Sequence, residues 1–168
     1  NPLKTDRILH HLLSYTYINH LGFFDIPMLT SIPNLVYLAP TNNEELLAMT
    51  AYAVHQHEHP VAIRVPVGKF TSTGVADTTD YSILNKSEVT RRGERIALLG
   101  LGNFYHLANQ VADALAKDGI NATVVNPKFA SGLDEVLLEE LKANHSVVFT
   151  FEDGVVEGGW GQRVASFY

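Results

Sequence analysis

Two short apolar runs, each stopping at a proline and separated by a helical stretch, constrain the fold of this chain more than any other feature. Leu35 to Ala39 reads Leu-Val-Tyr-Leu-Ala and ends at Pro40; Val61 to Val65 reads Val-Ala-Ile-Arg-Val and ends at Pro66. Neither run alternates apolar with polar residues, so neither suits a strand with one wet face. Near-continuous apolar strands belong to a parallel sheet covered on both sides. Between them, Thr41-Asn42-Asn43-Glu44 starts a helix that runs to about Glu58, with Thr41 or Asn42 as N-cap. Glu44 and Glu45 fall in its first turn, where carboxylates favour the helix dipole. Leu46, Leu47, Met49, Thr50, Ala53 and Val54 are its expected buried stripe. The whole is a β-α-β unit with a right-handed crossover. Ahead of it, His20-Leu21-Gly22 leads into a turn at Asp25-Ile26-Pro27.

A second α/β pattern follows a change of composition. Thr71-Ser72-Thr73-Gly74 and Asp77-Thr78-Thr79-Asp80 are loop-like, and a short strand is expected near Ser87–Thr90. Ile96–Leu101 reads as a strand, Asn103–Asp118 as a helix closed by Gly119, and Ala122–Asn126 as a strand stopped by Pro127. Leu133–Ala143 is a helix, Val147–Phe151 a strand, and Gln162–Tyr168 a last helix. The expected architecture is α/β, a three-layer α/β/α arrangement with a mostly parallel sheet in the second part. The division is expected at residues 1–73 and 74–168. Before residue 20, one amphipathic helix is expected over Lys4–Ser14.

Composition narrows the function. With a net charge of −6, the chain of 168 residues has no general pull toward nucleic acid, and Arg91-Arg92 is flanked by Glu88 and Glu94. The absence of cysteine excludes disulfides, zinc–thiolate sites and thiol catalysis, and suits a reducing cytoplasm. No apolar run approaches the roughly 18 residues of a membrane helix. The start at Asn1 rather than Met, and the end inside a helix, lead to the expectation of a fragment.

Several groups invite a chemical reading. His10-His11 are adjacent on a helix and diverge by about 100°, a poor metal half-site. His55, His57 and His59 alternate near a helix end, where polar or cationic residues suit the dipole better than a metal does. Gly100-Leu101-Gly102 lies where a dinucleotide fingerprint would, but the third small residue is Tyr105 and the next strand ends in Asn126-Pro127 without a carboxylate for a ribose. A plain strand-to-helix turn accounts for it better. Glu152-Asp153 lies at the C-terminal end of a strand, where α/β sheets place function. The turn Gly158-Gly159-Trp160-Gly161 suits either an anion at a helix N-terminus or close packing, with Trp160 expected to face a neighbouring subunit. There is no G-x-S-x-G elbow. His20 lies in a loop beside glycine, a setting for a site residue. Arg64 stands alone in an apolar strand and needs either a carboxylate or a bound anion; Glu58 is the nearest acidic residue in sequence.

Taken together, the run from His20 through Pro40 to Leu46, followed by Pro60-Val61-Ala62-Ile63-Arg64-Val65-Pro66-Val67-Gly68-Lys69, resembles the later part of the pyrimidine-binding domain of thiamine-diphosphate enzymes, in particular the deoxyxylulose-phosphate synthases of the transketolase group. Ile96 to Leu141 and Phe151 to Phe167 resemble the transketolase C-terminal domain. The resemblance covers about residues 18–168. It implies a transferase that joins a two-carbon unit from pyruvate to glyceraldehyde 3-phosphate with loss of CO2, in the supply of isoprenoid precursors. It also implies thiamine diphosphate and Mg2+ as cofactors, a homodimer and a cytoplasmic enzyme. His20 matches the family's active-site histidine, and Arg64 the first arginine of an Arg-x-Pro-Arg-Gly run that resembles an anchor for the acceptor's phosphate.

The chain departs from the family at three positions: Asn19 stands for a threonine, Thr16 for an acidic residue, and Val67 for the second arginine. The family's cofactor-activating glutamate and its diphosphate- and metal-binding domain have no counterpart here. By this resemblance the chain alone is expected to be inactive. A transketolase, the β subunit of an α-keto-acid decarboxylase, and a non-catalytic dimerisation module of the same fold are the alternatives.

Overall fold

The computed structural model describes residues 22–66 and 70–168. The expected helix at Lys4–Ser14, the His10-His11 pair, His20, Asn19, Thr16 and Val67 lie outside the described residues. The elements run α1 (Asp25–Thr30), β1 (Val36–Leu38), α2 (Asn43–His55), β2 (Val61–Ile63), β3 (Glu88–Arg91), β4 (Arg95–Gly100), α3 (Phe104–Lys117), β5 (Thr123–Asn126), α4 (Glu135–Asn144), β6 (His145–Phe151) and α5 (Trp160–Phe167).

Two sheets form. β1 and β2 pair in parallel, with Val36 opposite Val61 and Leu38 opposite Ile63. The larger sheet has the order β3-β5-β4-β6; β4 is parallel to both β5 and β6, and only β3 runs antiparallel. Side chains alternate across a strand, so β4 serves two cores at once. Leu98 and Ile96 join Ala108, Ala112 and Val124 under α3, while Ala97 and Leu99 join Leu137, Leu141, Trp160 and Val164 under α4 and α5. That is the three-layer α/β/α arrangement. All four residues of β5 are buried, as two-sided cover requires.

The two sheets are not independent. Ile26, Tyr37 and Ala39 belong to the same core as Ala97, Leu99 and Val125. The chain leaving β5 runs antiparallel beside β1: Ala39 N donates to the Lys128 carbonyl (2.8 Å) and Ala130 N to the Tyr37 carbonyl (2.7 Å). Phe129 then fills the space under β1 with Val36, Leu38, Met49 and Tyr81.

Three expectations need correction. Asp25-Ile26-Pro27 opens a short helix rather than a turn; Pro27 is its third residue, where no intrahelical N–H is required. The buried side of α2 is Glu45 and Met49, with Ala48 and Tyr52 partly covered, whereas Leu47 and Val54 are exposed. Among the described residues only β1 and β2 form the sheet beside α2, and the buried stripe of the helix is correspondingly narrow. Finally, α5 starts at Trp160, not Gln162, because Glu152 completes its first turn.

Candidate functional site: a charged junction at the strand ends

The C-terminal end of β2 meets the C-terminal end of β6 at Arg64. Of the two counter-charges open to Arg64, the structure supplies carboxylates. Nε donates to Asp25 Oδ2 at 2.7 Å, and Nη1 donates to the Asp153 carboxylate. Nη2 donates to the backbone carbonyls of Asp153 (2.8 Å) and Gly22 (3.3 Å). The Tyr37 hydroxyl donates to Asp25 Oδ2 at 2.8 Å, and Ile26 N donates to Asp25 Oδ1 at 2.8 Å. The Arg64 side chain is only 11% exposed, Asp25 16% and Asp153 39%. Burial opposes the guanidinium's charge, but the bonds to Asp25 and Asp153 outweigh it and raise its pKa above the ordinary value. Burial, then the bond to Asp25, pushes the Tyr37 hydroxyl well up, so it stays a donor.

Beside this junction, Glu152 accepts from Trp160 N at 2.9 Å and from Gly161 N. The anion at the N-terminus of α5 is therefore the chain's own carboxylate. Burial is the main influence on Glu152 and raises its pKa despite those bonds. The glycines make room for this fold-back. A Cβ on Gly161 would lie 2.5 Å from Thr150 Oγ1, one on Gly158 would lie 2.7 Å from Pro27 Cβ, and one on Gly159 would overlap Glu152 Oε1 and the Val155 carbonyl. Trp160 does not present itself to another subunit. It is buried in its own chain, with Nε1 donating to the Gly132 carbonyl at 3.2 Å.

A second polar cluster lies under β1. Lys128 is 2% exposed, with a left-handed backbone (φ 61°). Its Nζ bonds Thr79 Oγ1 at 2.6 Å and Glu88 at 2.9 Å, with Glu45 at 3.6 Å and Asp77 at 3.7 Å. Glu45 in turn accepts from Thr41 N, the Thr41 hydroxyl and Asn126 Nδ2. Burial would discharge the Lys128 amine; the bond to Glu88 and the carboxylates around it hold its pKa above the ordinary value instead. A lone lysine between Pro127 and Phe129-Ala130 is the sequence signal for this cluster. Nothing short of the fold names its partners, which come from three distant segments.

The other sequence candidates have simpler roles. Gly100 lets α3 approach β4, since a Cβ there would lie 2.5 Å from Tyr105 Cα, and Gly102 (φ 56°) packs on Ala39. His55 Nδ1 lies 2.7 Å from the Ala51 carbonyl at the end of α2. Among the described residues no three His, Asp or Glu side chains meet to hold a metal ion. The described residues thus assemble no all-protein metal cage. No described helix is long and apolar enough to cross a membrane.

Known proteins resemble this chain along most of its length. Curated 1-deoxy-D-xylulose-5-phosphate synthases are similar over most of it. That of Natranaerobius thermophilus is 38% identical over 145 residues, covering 86% of this chain and 23% of the relative. That of Aromatoleum aromaticum is 39% identical over 146 residues, covering 87% of this chain and 22% of the relative. The chain thus spans under a quarter of the length of these relatives. Among solved structures, a split-gene transketolase described as an inactive β4 tetramer superposes with a TM-score of 0.72 at 26% identity, over 86% of this chain and 47% of that one. A transketolase mutant from Pichia stipitis shares the fold, with a TM-score of 0.63 at 14% identity over 80% of this chain and 20% of that one. Residues 85–168 match the family described as transketolase, C-terminal domain, and the chain belongs to that family.

Proposed function

We propose that this chain is the part of a 1-deoxy-D-xylulose-5-phosphate synthase that carries the end of the pyrimidine-binding domain, to residue 73, and the transketolase C-terminal domain, from residue 74. The observation that carries this reading is the reach of the similarity. The match to the synthases runs over 145 residues and so extends well before residue 85, through β1, α2 and β2. The reaction would join two carbons of pyruvate to glyceraldehyde 3-phosphate and release the third as CO2. Thiamine diphosphate with Mg2+ would supply carbanion stabilisation, held by parts of the protein other than the described residues.

Within this reading His20 is the residue that touches substrate and moves protons. A direct contact between Arg64 and the acceptor's phosphate, the other role the resemblance implies, must compete with Asp25 and Asp153, which already hold the guanidinium. A homodimer in the cytoplasm completes the proposal. The split-gene transketolase, at 26% identity, favours a transketolase as the second reading.

The test uses the longest form of the protein that its gene encodes, given thiamine diphosphate, Mg2+, pyruvate and glyceraldehyde 3-phosphate. One CO2 released per five-carbon sugar phosphate formed is the expected result. Turnover with a ketose phosphate donor and no CO2 would select the transketolase reading, and no cofactor retention would select a non-catalytic module. His20→Ala is expected to lower kcat by about 10²–10⁴-fold.

A further inference from the structure

Arg64 joins three separate pieces of chain. The first is the segment Gly22–Asp25, which begins two residues after His20; the second is the end of β2; the third is the end of β6 at Asp153. Among the described residues the junction has two carboxylates for one cation, and Glu152 beside it senses both Arg64 and Arg163. An incoming phosphate would thus meet a site already negative overall. The fork geometry is also committed: the Nε–Nη2 edge faces Asp25, and Nη1 faces Asp153. Gly22 (φ 73°) turns the chain tightly here, and a Cβ on it would lie 3.3 Å from Asp25 Oδ2. The Gly22 carbonyl is thereby brought onto Nη2.

We propose that Arg64 is a positioning residue, which fixes the segment following His20 against the end of β6, and is not the ligand of the acceptor's phosphate. The inference rests on the reading of His20 as the residue that touches substrate. Its physical content is that a planar fork with donors on two edges can hold two carboxylates and two carbonyls in one plane, which a lysine ammonium cannot. A misplaced catalytic group lowers turnover for every substrate, whereas a lost phosphate contact penalises only substrates that carry a phosphate.

The experiment compares Arg64→Ala, Arg64→Lys and wild type in the longest encoded form. Hydrogen exchange reads the clamp without reference to activity. In Arg64→Ala, amides of residues 23–30 should exchange at least about tenfold faster while those of Leu98, Leu99 and Val124 keep their protection. Kinetics read the consequence: kcat should fall about tenfold or more, by the same factor for glyceraldehyde 3-phosphate and for unphosphorylated glyceraldehyde, with KM within about twofold. Arg64→Lys should reproduce most of the loss, because the charge remains and the fork does not. A rise in KM confined to the phosphorylated acceptor would overturn the proposal, as would faster exchange spread evenly over β4 and β5. If wild type turns over neither acceptor, the proposed function fails by itself. The exchange pattern then still decides whether Arg64 clamps residues 23–30.

Discussion

The larger sheet and the β1–β2 pair are built from similar apolar strands, yet they are held in different ways. In the larger sheet β5 is buried throughout and lies between neighbours on both sides, with helices on both faces. In the pair, β1 is fully buried but β2 is only partly so, and α2 turns Leu47 and Val54 to solvent. The smaller unit obtains its cover from the larger one. Phe129, Lys128 and the backbone of residues 128–130 close over β1, and the linker residues Asp77, Thr79 and Tyr81 complete the lid. Among the described residues, β1 takes part of its cover from the segment that follows β5.

Removing the inserted side chain should break this dependence most. Phe129→Ala deletes a fully buried ring and should lower stability by about 3–5 kcal/mol. Exchange protection should fall first in β1 and α2 and only later in β4 and β5. Leu98→Ala, in the self-contained sheet, should lower protection in both regions together. Simultaneous loss everywhere in Phe129→Ala would mean that the two units form one cooperative block.

Lys128→Met should come next. It leaves Glu45 buried without its cation, a loss at the lower end of about 3–5 kcal/mol because Thr41 and Asn126 still bond that carboxylate. Adding Glu45→Gln should recover part of it, which urea titration of the double variant will show. Gly159→Ala should lower stability by about 1–3 kcal/mol, since the new methyl overlaps Glu152 and the Val155 carbonyl. The fluorescence of Trp160, the sole tryptophan, should shift toward that of an exposed indole.

Glu44 offers a smaller, pH-dependent test. Its carboxylate accepts from the Ser72 hydroxyl and from the backbone of Thr73 and Gly74, and chiefly through the Ser72 bond its pKa falls to about 2 from 4.5. A depressed carboxylate stabilises the fold above its unfolded pKa. This contribution is therefore present above about pH 4.5 and lost as pH falls toward 2. Protection of the Thr73 and Gly74 amides, taken relative to their intrinsic exchange at each pH, should fall over that window in wild type but not in Glu44→Gln. The smallest effect is expected from Leu47→Gln on the exposed side of α2, within about 0.5 kcal/mol in a thermal melt. A large loss there would show that this face of the smaller unit is covered by something else.

The apolar runs closed by Pro40, Pro66 and Pro127 determined the strands, and with the helices between them the parallel arrangement and the three layers. Local rules suffice for these: a two-sided strand must be apolar, and a proline cannot continue it. The glycine turn after Glu152 was also legible as a place of close approach, though not what approaches. Long-range pairing was not legible. Sequence distance made Glu58 the nearest acid to Arg64, whereas its carboxylates are Asp25 and Asp153, 39 and 89 residues away. The same holds for Lys128, whose carboxylates at Glu45, Asp77 and Glu88 come from three segments, and for Trp160, buried in its own core instead of facing outward. A buried charge obliges the chain to provide a counter-charge. Which carboxylate provides it depends on how the sheets stack, and only the tertiary structure decides that.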